Sequence, residues 1–188
     1  MPRVQLFDKE KALKNAMELF WKKGFNGTST RDLEKATGLG TSSIYNSFGG
    51  KEALFFETLQ YYMDAEQLKL GQNIKDSPSA LKALRALLEC VMEEGGCFVV
   101  NSITELANEN PRLNEFVTAA RAGTITILKE LIQKAQAQDE IPAGSDPAQL
   151  AVYLQTVMTG LKVSGMVAKD PKELLAVIAL TMQNLTKK

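Results

Sequence analysis

Between Phe25 and Lys51 glycine recurs so closely that no helix of much more than about two turns fits, because Gly38 and Gly40 break the chain once and Gly49 and Gly50 break it again. The pieces left between the breaks nevertheless read as helices. Thr28 or Ser29 can cap the first, with Asp32 three residues after Ser29 in capping-box spacing, Leu33 and Ala36 facing inward and Gly38 as the stop. The second runs from Thr41 to Phe48 and buries Ile44 and Phe48. Helices this short do not persist alone, since nucleation is costly and few hydrogen bonds follow. They must dock on neighbours, and the available apolar partners are Leu13, Ala16, Phe20, Phe25 and Leu54, to which Leu33, Ala36, Leu39, Ile44 and Phe48 turn.

The rest of the chain is helical in pattern as well, and the fold class expected is all-α. Ala12, Leu13, Ala16, Leu19 and Phe20 form one stripe, predicting a first helix from about Asp8 to Lys23 that Gly24 ends as a left-handed cap. Lys51 and Glu52 open a long helix reaching about Asn73, and Pro78, Pro111, Pro142, Pro147 and Pro171 each stand near a new helical start. The sequence shows no strand-like alternation, internal repeat or low-complexity tract. The two last helices, about Asp146 to Ala168 and Pro171 to Leu185, are apolar on more than one face: Leu174, Ile178, Met182 and Leu185 make one stripe, while Leu175, Val177, Ala179 and Leu180 populate others. A second copy of the chain packed as a four-helix bundle would cover them, burying roughly 2,000 Å² or more; a deeper place in the monomer's own core is the alternative.

Composition narrows the function. The chain has 188 residues, 45% apolar and 23% charged, enough for one large or two small globular domains. Its amino terminus lacks the apolar region of a signal peptide, and the apolar run from Leu150 is interrupted by Gln155, Thr156, Thr159, Lys162 and Ser164, so neither export nor a membrane partner is expected. Two cysteines without scaffold spacing suit a reducing cytoplasm. The absence of histidine removes the Ser-His-Asp and Cys-His arrangements and the commonest zinc ligand, so no catalytic residue, metal or cofactor is expected. Net charge is zero, yet residues 1–51 hold nine Lys or Arg, Arg3 among them, against five acids, leaving a positive head on a negative body.

A short helix, a glycine-bearing turn and a second short helix make the helix-turn-helix plan. With the apolar residues inward, Thr41, Ser42, Ser43, Tyr45 and Asn46 remain outside, able to reach phosphates, base edges and thymine methyls. The run from Phe7 to Phe56, and within it "AMELFWKKGFNGTSTRDLEKATGLGTSSIYNSFGGKEALF", resembles the amino-terminal DNA-binding domain of the TetR/AcrR family of bacterial transcriptional repressors. The likeness combines Leu-Phe and Gly-Phe, Thr-Ser-Thr-Arg-Asp-Leu, Ala-x-Gly-Leu and Ile-Tyr-x-x-Phe-x-x-Lys-Glu-x-Leu. It departs at Gly40, where a serine cap is commoner, and at Thr41, where a lysine or arginine is frequent.

The resemblance implies about nine helices, a DNA-binding head over residues 1–51, an effector-binding and dimerisation body over 52–188, and a twofold dimer on a palindromic operator with successive major grooves about 34 Å apart. It puts Tyr45 and Asn46 on DNA and Lys51 on a phosphate; Thr28, Ser29, Arg31, Thr41, Ser42 and Ser43 complete the candidate surface. Tyr45 leaning on the first helix, Thr28 and Ser29 as caps, and Arg31 and Lys35 as a solvated face are the plainer readings. Lys51 opposes the helix dipole at its position and so calls for an anion nearby.

In the body, "CFVVNSITELANENPRL" mixes apolar and polar residues, and the resemblance makes this region a wall of an effector cavity that relays to the fourth helix. Asn101 and Glu105, four apart, are its candidate polar anchors, and Tyr62, Phe98, Phe116, Tyr153 and Met158 its apolar wall; plain core and surface positions are the alternative. Cys90 and Cys97 flank "EEGG" and could sense oxidants or electrophiles, as thiols of some family members do, although Glu93 and Glu94 lie close and free cysteines are commonly buried. The expected function is a repressor released by a small apolar or amphipathic effector, with thiol sensing and protein docking without an effector as competing readings.

Overall fold

The computed structural model describes residues 8–93, 96–107 and 109–187. Arg3 of the basic head, Phe7 of the family-like run, and the Glu93 side chain with Glu94 and Gly95 between the cysteines lie outside the described residues. Nine helices are found among those described: α1 Lys9–Lys23, α2 Thr30–Thr37, α3 Thr41–Phe48, α4 Lys51–Asp76, α5 Ala80–Glu93, α6 Phe98–Leu106, α7 Pro111–Ala137, α8 Pro147–Gly165 and α9 Pro171–Thr186.

Local chemistry sets most of these boundaries. Asp8 caps α1 by accepting from the Lys11 N–H at 3.0 Å, and Ser29 with Asp32 forms the capping box of α2. Asn110, Asp146 and Asp170 cap α7, α8 and α9, each followed by a proline in the first turn, where the missing N–H costs nothing. Gly38 ends α2 in the left-handed conformation as expected, but Gly24 does not end α1 that way: its φ of 75° comes with ψ of 168°, which turns the chain sharply out of the helix toward α6.

Two apolar cores result. In the first, Ala16 and Phe20 of α1, Leu33 of α2, and Ile44 and Phe48 of α3 pack on Leu54, Phe55, Leu59 and Tyr62 of α4, on Phe98 and Leu106 of α6, and on Leu113 at the start of α7. The second joins α5, α7, α8 and α9. Packing therefore does not divide at residues 51 and 52, because α4 and α6 carry the first core into the body. At its centre the Phe55 ring lies 5.2 Å from Phe20, 5.0 Å from Phe25, 5.7 Å from Phe56 and 5.8 Å from Phe98, in edge-on or tilted arrangements that favour the ring quadrupoles.

On α9 the stripes separate. Leu174, Ile178, Met182 and Leu185 are buried in the second core, while Leu175, Val177 and Leu180 of α9, Val152, Tyr153 and Val163 of α8, and Val167 just after α8 are exposed. Large apolar side chains thus stay uncovered on two helices that pack together. No helix among the described residues is long and apolar enough to cross a membrane.

Phe55→Ala is expected to lower the unfolding free energy by about 3 to 5 kcal/mol, read from the urea midpoint, because it empties the junction of α1, α4, α6 and the turn that carries Phe25.

Candidate nucleic-acid interface and the body cavity

The geometry of the head begins with α2, which is tied to α1 at both ends. Asn15 Nδ2 donates to the Ala36 carbonyl at 2.9 Å, and Lys23 pairs with Asp32 at 3.0 Å. α3 is then pinned by Ile44 and Phe48, and its other side, Thr41, Ser42, Ser43, Tyr45 and Asn46, faces outward. Tyr45 is 59% exposed. Its ring lies along Gly50, where φ is +107° and a Cβ would come within 3.0 Å of Tyr45 Cε1, so only glycine suits both the backbone and the ring.

The cap of α3 is not visible in its own sequence. Gly40 has no side chain to offer, and Glu34 of α2 takes its place, accepting from the Thr41 N–H at 2.8 Å and from the Thr41 hydroxyl. The hydrogen bond from the Thr41 hydroxyl, then that from its N–H, then Arg31 hold the Glu34 carboxyl below its usual range. Asp32 is lowered further, by the Ser29 hydroxyl first, then the Ser29 N–H and Lys23.

Two expected contact residues are otherwise engaged. Thr28 is buried, and its hydroxyl donates to the Gly24 carbonyl at 2.7 Å, so it is a local cap and not part of the exposed face. The Ser29 hydroxyl is held by Asp32 at 2.7 Å, though Ser29 itself is exposed. Arg31 is exposed on α2. The ammonium of Lys51 sits 4.3 Å from the centroid of the Phe25 ring, so an aromatic face, rather than a carboxylate, steadies this cation at the start of α4.

The body holds a cavity of about 230 Å³, partly open to solvent, between α4, α5, α6, α7 and α8. Tyr62 and Met158 are among its lining residues, with Val99, Val100, Ile103 and Val117. Against this apolar wall stands a nearly buried ion pair, Lys162 Nζ to Glu66 Oε2 at 2.7 Å, with side chains 13% and 12% exposed.

The other expected wall residues lie elsewhere. Phe98 is in the first core against Phe55, Trp21 and Tyr62; Phe116 packs near Phe56; and Tyr153 is exposed on α8, 3.5 Å from the Thr181 hydroxyl. Asn101 is half-buried on α6 without lining the cavity. Glu105 reaches the head instead, accepting from the Phe25 N–H at 2.9 Å and the Asn26 N–H at 2.7 Å. Both cysteines are unbridged and line the cavity, and the Tyr62 hydroxyl donates to Cys97 Sγ at 3.6 Å. No group of three or more Cys, Asp or Glu that could hold a metal ion occurs among the described residues.

A helix-turn-helix head on an all-helical, hollow body defines the class of regulator to which the comparisons point. Residues 12–58 match the family model of bacterial regulatory proteins of the tetR family, and residues 79–180 match the tetracyclin repressor-like C-terminal domain. The chain belongs to the TetR family of transcriptional regulators, a family of DNA-binding proteins and not of enzymes.

Among its relatives is the HTH-type transcriptional repressor ComR of Escherichia coli K12, 29% identical over 189 residues that cover 96% of this chain and 90% of that one. BdcR, another HTH-type transcriptional repressor of the same strain, is 23% identical over 95% of this chain and 89% of its own. Of the solved structures, a cysteine mutant of the TetR family regulator CifR, complexed with 26bp double-strand operator DNA, superposes with a TM-score of 0.85 at 27% identity, covering 97% of this chain and 99% of that one.

The lowered carboxyls give the head an acid sensitivity of defined sign. Their contribution is complete above the unfolded carboxylate value, about pH 4, and is lost as pH falls through the lower folded values. Asp32→Asn is therefore expected to flatten the fall of the thermal midpoint between about pH 4 and pH 2 relative to the parent.

Proposed function

We propose that the chain is a homodimeric repressor that reads a roughly palindromic operator through α3 and leaves it when a small apolar or amphipathic effector enters the body cavity. The observation that carries this reading is the division of α3. Its apolar residues are used up in docking, while Thr41, Ser42, Ser43, Tyr45 and Asn46 stay exposed, with the Thr41 hydroxyl bound to Glu34 and the Tyr45 ring resting along Gly50.

In this reading Ser42, Ser43, Tyr45 and Asn46 meet the major groove, with Thr41 offering its methyl group while Glu34 holds its hydroxyl. Arg31, Ser29 and Lys51 approach phosphates. The functional head is residues 1–51 and the body 52–188. A regulator of this kind works in the cytoplasm.

The exposed face of α8 and α9 supports a twofold pairing that would set two α3 helices about 34 Å apart. An effector acts only if it binds the DNA-released spacing better than the DNA-bound one. A second reading, thiol sensing, is favoured by one observation: Cys90 and Cys97 open onto the same cavity, so an electrophile that enters it meets both.

Titration of duplexes selected from a random pool tests the DNA reading. Lys51→Ala should weaken all sequences and reduce the log-affinity against log-salt slope by about one unit, and Asn46→Ala should cost about 1 to 3 kcal/mol on the selected site while relaxing its choice of base. Leu180→Glu should convert the dimer to monomer in sedimentation and abolish tight operator binding, whereas a chain that sediments as a monomer before substitution refutes the pairing.

A further inference from the structure

We infer that Glu105 is the positioning residue through which the contents of the cavity set the posture of the head. The inference deepens the regulator reading and takes its biological meaning from it. The α6 helix has two working sides. Val99, Val100 and Ile103 line the cavity, and Glu105, about 200° around the helix from Ile103, points the other way.

There its carboxylate takes two consecutive backbone N–H groups of the α1–α2 turn, those of Phe25 and Asn26, at 2.9 and 2.7 Å. The approach is close: a Cβ on Gly24 would lie 2.7 Å from Glu105 Oε2 and displace the carboxylate, and the φ of +75° there suits glycine for its own reasons. No other acceptor is recorded for either amide. A carboxylate gripping two adjacent donors makes charge-assisted bonds, roughly twice as strong as neutral ones and directional where apolar packing is not.

The grip continues on the far side of the turn. Phe25 stacks with Phe20 at 6.1 Å, packs on Phe55 and carries the Lys51 ammonium on its ring. Moving α6 therefore moves the backbone of Phe25, and with it the cation at the start of α4. The expected relay from this region to the fourth helix thus gains a second arm, which reaches the head through hydrogen bonds to its α1–α2 turn. An occupant that pushes Val100 and Ile103 outward pulls on Glu105, and coupling of this kind is a difference between two arrangements that both sites bias.

The experiment replaces the unidentified effector by a bulky side chain in the cavity wall. Ala120→Phe on α7 fills the space from a helix that carries neither Glu105 nor its partners, and Thr159→Leu on α8 repeats the test should the first variant fail to fold. Amide hydrogen exchange is followed at Phe25 and Asn26 in the free dimer, without DNA. Glu105→Ala should raise exchange at these two amides at least tenfold and leave α5 and α8 unchanged. Either filler should raise it several-fold when Glu105 is present and add nothing when it is absent.

With a selected duplex, the filler should weaken DNA binding in the Glu105 protein, and Glu105→Ala should abolish that dependence. Unaltered protection at Phe25 and Asn26 in Glu105→Ala, or a filler effect of equal size with and without Glu105, overturns the inference. If no duplex is selected at all, the regulator reading fails, and the exchange measurement still decides the role of Glu105.

Discussion

Everything in the head depends on the ring contacts gathered at Phe55. A helix of eight residues has too few internal hydrogen bonds to hold itself, so α2 and α3 exist only where a prebuilt surface receives Leu33, Ile44 and Phe48. That surface is made by α1 and the first half of α4, and Phe20, Phe25, Phe55 and Phe98 set the distance between them. Because Phe98 belongs to α6, the platform under the head is partly built from the body. The two regions are one packed object at this point.

How much of this was legible in the sequence followed the range of the forces involved. Helix limits were readable because caps are local: Ser29 with Asp32, glycine at 38 and 49, and proline at 111, 147 and 171 act within a few residues of themselves. The inward stripe of α3 was equally plain, since Ile44 and Phe48 are a turn apart. Gly24 misled in a specific way. A glycine after a helix suggests the left-handed cap, whereas here its freedom serves the approach of a carboxylate 81 residues further along the chain.

The cavity was less readable for the same reason. Its wall is drawn from five helices, and which face of each turns inward is decided by the rotation that packing imposes, not by any stripe within a single helix. Tyr62 and Met158 were placed by burial alone. Tyr153, beside buried Leu154 on a helix apolar on more than one face, could not be told from them by pattern. Glu105 drew notice as a candidate polar anchor of the cavity, but its partners are two backbone amides of the head that no side-chain pattern advertises. Glu34 carried no signal at all, since its service to Thr41 is rendered across a turn from another helix.

The exposed side of α3 has a consequence for descent. Because Ser42, Ser43 and Asn46 are exposed and their side chains take part in neither the docking of α3 nor its caps, exchanging them disturbs neither. A lineage bearing this head can wander among target sites by single substitutions without passing through an unfolded ancestor, while Tyr45, resting on Gly50, marks where such wandering meets resistance.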